Sequence, residues 1–123
     1  MPIAVLIADD REFIRSAIRR ALTQDPSIKI VGEAEDFPQT MAFVRELSPQ
    51  VVVMDLHMPS PPDFSHGDVK RVMAETDSKL ITMSIWQDEP ARALAASYGS
   101  FTFIDKSNLG TLLVPAIRQL AMQ

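Results

Sequence analysis

The sequence predicts an α/β fold, a five-stranded parallel sheet with helices on both faces. Three observations carry this. Ile3 to Ala8 and Val51 to Met54 are unbroken apolar runs of strand length, three of the latter four residues being β-branched, as expected of strands buried on both faces. Elsewhere apolar residues recur at helical spacing. The two patterns alternate five times along the 123 residues, which implies parallel strands joined by right-handed helical crossovers.

Taken in order, the first strand, Ile3 to Ala8, runs into Asp9-Asp10. From Arg11 the period changes, and Ile14, Ala17, Ile18, Ala21 and Leu22 mark a helix that Pro26 stops. Ile28 and Ile30, with Gly32, form a short second strand ending near Ala34. Phe37, Met41, Val44 and Leu47 mark a second helix, closed by Ser48-Pro49. The third strand, from Val51, ends in Asp55. The loop from Ser60 to Gly67 is proline-rich and excludes regular structure. Val69, Val72 and Met73 place a third helix from about Gly67 to Glu75. Leu80 to Ile85 is the fourth strand. Glu89 to Ser97 is a fourth helix, with Asp88 as N-cap and Gly99 as its C-terminal stop. Phe101 to Ile104 is the fifth strand. Leu112, Leu113, Ala116, Ile117 and Leu120 mark the last helix, which Pro115 should kink or delay.

The composition sets bounds. At 46% hydrophobic and 23% charged, the chain reads as one soluble globular domain, with no linker or internal repeat. A net charge of -4 argues against nucleic-acid binding by the chain itself. The absence of cysteine excludes disulfides, thiolate metal sites and cysteine nucleophiles, and fits a cytoplasmic location. The first apolar run lacks a preceding basic segment and is cut short by Asp9-Asp10, so it is neither signal peptide nor membrane span.

The chemistry collects at the carboxyl ends of the strands: Asp9 and Asp10, Asp55, Ser84 and Lys106. In a doubly wound sheet of flavodoxin-like order, 2-1-3-4-5, the first and third strands are neighbours, and the crevice at their ends binds ligands. Three carboxylates there cannot all stay ionised unless a cation joins them. Oxygen donors select a hard cation, and Mg2+ fits. A lysine and a hydroxyl facing the same crevice suit an added anion. The constellation reads as an Mg2+-assisted site at which Asp55 attacks a phosphoryl group and becomes an aspartyl phosphate.

Val5-Leu-Ile-Ala-Asp-Asp10, Val52-Val-Met-Asp-Leu-His-Met-Pro59, Ser84 and Phe103-Ile-Asp-Lys106, in this order and spacing, resemble the receiver domain of two-component response regulators over essentially the whole chain, 1–123. Ile7-Ala-Asp-Asp10, Val31-Gly-Glu-Ala34 and Asp55-Leu-His-Met-Pro59 look most like the NarL/FixJ-type, LuxR-family subgroup. The resemblance implies that Asp55 accepts phosphate from a sensor histidine kinase or phosphotransfer protein. It also implies that Asp10, Asp55 and the backbone carbonyl of His57 ligate Mg2+, with Asp9 acting through water. Lys106 would contact the phosphoryl oxygens and be needed only once they arrive, so that its removal leaves the fold intact. Ser84 would follow the phosphoryl group inward, and Phe103 would be the aromatic switch. No enzyme activity beyond self-catalysed phosphotransfer and autodephosphorylation is implied. Activation would change the surface around the fourth helix and fifth strand, with a homodimer as one outcome. The subgroup implies transcription regulation through a helix-turn-helix DNA-binding output domain outside this chain; the alternative is a free-standing receiver or phosphorelay intermediate.

Three departures stand out. Gly67 comes about four residues later than usual after Met58-Pro59, leaving a longer, stiffer loop. Ile85 stands where a small residue is usual, and is expected to act as a gate over Asp55. Phe103 has no hydroxyl. Simpler readings cover other residues. His57 and His66 lack a ligand spacing and read as surface histidines, and Arg11, Arg15, Arg19 and Arg20 read as a solvated helix face, or as a docking face for the phosphodonor. A haloacid-dehalogenase-type phosphatase would need an acid where His57 stands.

Overall fold

A computed structural model describes residues 2–122. Five strands and five α-helices alternate: β1 (Ile3–Ala8), α1 (Glu12–Thr23), β2 (Ile28–Ala34), α2 (Phe37–Leu47), β3 (Val51–Asp55), α3 (His66–Glu75), β4 (Lys79–Ser84), α4 (Glu89–Ser97), β5 (Thr102–Asp105) and α5 (Leu109–Ala121). All strand pairs are parallel and the sheet order is β2-β1-β3-β4-β5. This is the flavodoxin-like order expected from the sequence.

Period-two alternation in the central strands sends side chains to two cores. Leu6 and Ala8 of β1 and Val52 and Met54 of β3 pack with α2, α3 and α4 through Phe37, Val44, Val69, Val72, Ala95 and Tyr98. Val5, Ile7, Val51 and Val53 pack with α1 and α5 through Ile18, Leu22, Leu113 and Ile117. Burial on both faces is why these two strands read as continuous apolar runs.

Local chemistry explains most boundaries. Asp36 and Asp88 cap α2 and α4 by accepting from the amides of Gln39 and Ala91, each with proline in the first turn. Gly99, at φ 82°, turns the chain out of α4. In β2, Ile30 pairs with Val5 and Gly32 with Leu6, so Val31 is a bulge that breaks the alternation. A side chain at Gly32 would meet the Leu47 side chain at 3.0 Å and that of Leu6 at 3.3 Å, so both would have to give by a few tenths of an ångström.

The structure corrects four expectations. β4 ends at Ser84, leaving Ile85 in the following loop and half exposed. Phe101 lies outside β5 and is exposed, although its amide still donates to the Leu80 carbonyl at 2.8 Å. Pro115 does not delay α5, because a 3-10 turn over Lys106–Asn108 leads directly into the helix at Leu109. Pro115 and Thr111, whose carbonyl loses its helical donor, are both exposed to water. Lastly, α1 is not uniformly solvated: Arg15 is buried and Arg19 half-buried.

Candidate functional site

The β1–α1 turn delivers two of the acids. Asp9 is fully buried; its amide donates to the Ala34 carbonyl at 3.0 Å, and its Oδ1 accepts the Arg11 amide at 2.9 Å. Asp10 follows, exposed. At the end of β3, Asp55 Oδ1 accepts the His57 amide at 3.2 Å, folding the chain back over the strand end. Since β1 and β3 are neighbours, carboxylate oxygens of Asp9, Asp10 and Asp55 all lie within 4.8 Å of one another.

Lys106 closes the group. Asp105 accepts from the Ser107 amide at 3.0 Å and holds the 3-10 turn that starts at Lys106. The Lys106 Nζ reaches Asp9 Oδ2 at 2.7 Å and Asp55 Oδ1 at 3.3 Å, with only 6% of its side chain exposed. The pocket thus holds a buried cation between two buried carboxylates. Burial pushes the Asp55 carboxyl above its ordinary value; Lys106 pulls it down, and Asp9 pushes it up again. A carboxyl raised in the folded state gives stability that is present below its unfolded pKa and lost as pH rises through the folded one. Ion-free Asp55→Asn is therefore expected to melt higher than the parent at neutral pH, with the gain vanishing as the pH falls toward the carboxylate range. Thermal unfolding across pH checks this; a variant melting lower at neutral pH contradicts it.

Ser84 is buried, and its Oγ accepts the Trp86 amide at 2.9 Å, leaving the hydroxyl proton for another acceptor. Phe103, half-buried on β5, packs against the core beneath α2, α3 and α4, and lines a groove with Gln87, Arg92, Ala95 and Ala96. Ile85 stands at the mouth of the Asp55 cleft, which measures about 210 Å³ and is also lined by Arg11, His57, Trp86 and Lys106.

The sequence reading missed the clasp over this cleft. The His57 and Trp86 rings meet edge to face, 5.0 Å apart at 87°. They join the loops after β3 and β4 beside Asp55. The run Ser84-Ile-Trp86 beside Asp55-Leu-His57, on neighbouring strand ends, was the available signal. His57 and His66 are both exposed, as read from the sequence, yet His66 is also held by its neighbours. Its Nδ1 hydrogen-bonds the hydroxyl of buried Tyr98; both rings pack with Phe37, and His66 also meets Phe64, which stacks on Phe37 at 5.7 Å. Phe64 thereby anchors the long proline loop.

The three carboxylates supply the oxygen donors that a hard divalent cation prefers. Asp10 supplies a carboxylate with no hydrogen-bond partner among the described residues.

Comparisons with known proteins agree with the geometry. The family profile described as response regulator receiver domain matches residues 5–118. A protein-glutamate methylesterase/protein-glutamine glutaminase 2 of Anaeromyxobacter dehalogenans is 35% identical over 105 residues, covering 85% of this chain and 30% of that protein. Response regulator GacA of Pseudomonas aeruginosa is 28% identical over 118 residues, covering 96% of this chain and 55% of that protein. The chain therefore spans less than a third of the first relative and little more than half of the second. Among solved structures, the response regulator domain of Thermotoga maritima CheB superposes with a TM-score of 0.84 at 26% identity, covering 100% of this chain and 98% of that one. The signal receiver domain of the NarL regulator of Mycobacterium tuberculosis shares the fold, with a TM-score of 0.77 at 20% identity, over 95% of this chain and 97% of that one.

Proposed function

The chain belongs to the response regulator receiver domain family of two-component signal transduction, and on that premise we propose that Asp55 is its phospho-acceptor, served by a histidine kinase or a phosphotransfer protein. The observation that carries this is the meeting of Asp9, Asp10, Asp55 and Lys106 in one cleft. An oxygen of Asp55 attacks phosphorus in line, and the bond to the donor's leaving group breaks with its electron pair going to that group. Lys106 exchanges its contact with Asp9 for a phosphoryl oxygen, and the Ser84 hydroxyl donates to another. Asp10, Asp55 and the His57 carbonyl would hold Mg2+ directly, with Asp9 acting through water; when bound, the ion would neutralise negative charge at the reacting centre. Phe103 then packs further inward, and the α4–β5 surface changes, favouring a homodimer or another protein contact. The test is incubation with phosphoramidate and Mg2+ followed by intact-mass measurement: one phosphoryl group is gained, and Asp55→Asn gains none.

The chain itself carries no further catalytic activity and no nucleic-acid site in this proposal, and works in the cytoplasm as the receiver module over 1–123. No described helix is long and apolar enough to cross a membrane. For the output we propose DNA binding through a helix-turn-helix domain, supported by the subgroup motifs. A second reading, a methylesterase-type output, is favoured by the 35% identity to the Anaeromyxobacter methylesterase. The reading frame beyond residue 123 separates them, and also tests the free-standing alternative.

Ile85 lines the cleft beside Asp55, which supports its role as gate. Its branched side chain narrows the approach of small donors and of the water that hydrolyses the acyl phosphate. Misplacement by about an ångström costs on the order of a hundredfold in rate. Ile85→Ala is expected to shorten the half-life of the phosphorylated protein and to speed its phosphorylation by small donors. Equal half-lives would assign the gating to the His57–Trp86 pair.

A further inference from the structure

We propose that Arg15 is a positioning residue for the acidic turn, and that it sets the affinity of the site for a divalent cation without touching the cation. The inference rests on the reading of Asp10 and Asp55 as ligands. Arg15 is only 6% exposed, which is costly for a guanidinium unless its donors are matched. Its Nη1 donates to the backbone carbonyl of Asp9 at 2.7 Å. Its Nη2 contacts Glu12 and lies 3.3 Å from Glu35, and its Nε lies 3.4 Å from Glu33. Glu33 is itself held by Arg19, with Nε at 2.9 Å. The guanidinium therefore spans the β1–α1 turn, α1, β2 and the β2–α2 loop.

One contact has a geometric consequence. The Asp9 carbonyl belongs to the peptide plane shared by Asp9 and Asp10. Its partner Arg15 fixes that plane, while Ala34 fixes the preceding plane through the Asp9 amide. Fixing the plane restricts ψ of Asp9 and φ of Asp10, and so the direction of the Asp10 side chain. That carboxylate has no hydrogen bond of its own among the described residues, so the backbone alone aims it at the cluster formed with Asp9 and Asp55. Pre-aiming lowers the ordering cost of ion binding, as outer-shell partners do in metal sites.

The sign of the effect separates positioning from charge. Removing a cation beside an acidic pocket should tighten cation binding by electrostatics alone. Loss of positioning weakens it. The measurement is Mn2+ binding followed by electron paramagnetic resonance of the free ion, well below the melting temperature of each variant. Arg15→Gln is expected to weaken binding on the order of tenfold. Arg15→Lys, which keeps the charge and one donor for the Asp9 carbonyl, should lie between it and the parent. Glu33→Gln, which loosens the ion pairs without reaching Asp9, should lower the melting temperature yet hold affinity within about twofold. Affinity in Arg15→Gln equal to or tighter than the parent overturns the proposal; if that variant does not fold, the same result in Arg15→Lys does. An unbound parent, or unaltered binding in Asp10→Ala, instead overturns the ligand reading beneath it.

Discussion

Replacing Lys106 with alanine is expected to cost on the order of 3–5 kcal/mol of stability at neutral pH in the ion-free protein. Two buried carboxylates, Asp9 and Asp55, share its ammonium at 2.7 and 3.3 Å. Without it they face each other in a pocket from which water is largely excluded. From the sequence, Lys106 is needed only after phosphorylation; its 6% side-chain exposure gives it a share in the resting fold as well. The pH dependence follows. In the variant Asp55 keeps the burial and the Asp9 neighbour that raise its carboxyl and loses the Lys106 charge that lowers it. Stability should therefore recover on acidification and decline as pH rises. Mg2+ should restore part of it by binding only the folded state. Urea unfolding at neutral and mildly acidic pH, with and without Mg2+, reads all three effects. Parental stability at neutral pH would show that Lys106 is not a partner of the resting carboxylates.

Tyr98→Ala is expected to cost a comparable amount, about 3–5 kcal/mol. Tyr98 is 1% exposed at the C-terminus of α4 and packs against Phe37 of α2 at 6.0 Å and against His66 of α3 at 5.9 Å. Its removal opens a cavity where three helices meet, and loosens the Phe64 anchor of the loop that follows Asp55. Burial pushes the phenol up to about 12, so it stays protonated and available to His66 at neutral pH. Tyr98→Phe keeps the ring and loses the hydroxyl, and should cost only about 1 kcal/mol. Denaturant unfolding of the two variants separates packing from hydrogen bonding; equal losses would place the energy in the hydroxyl.

Elements buried on both faces were the most legible in the sequence. β1 and β3 follow from their apolar runs, and the Asp88 cap and the stop at Gly99 lie where local chemistry sets them. The Asp9, Asp10, Asp55 and Lys106 constellation was legible because strand ends converge on one sheet edge. Long-range partners were not. Arg15 has a helix-face spacing like Arg11 and Arg20, and only the fold brings Glu33 and Glu35 of another element to it. His66 and Tyr98 are 32 residues apart, and no local pattern announces their contact. The bulge at Val31 disguises a strand by breaking its alternation, and Phe101 reads as strand although it lies just outside β5.

The central claim is that Asp55 itself carries the phosphoryl group. After phosphorylation with acetyl phosphate and Mg2+, borohydride reduction converts an aspartyl phosphate to homoserine, and peptide mass mapping locates it. The account predicts homoserine at position 55 alone, with Asp9 and Asp10 unaltered. Homoserine at position 9 or 10, or an unmodified Asp55 in protein that has gained a phosphoryl group, would contradict it.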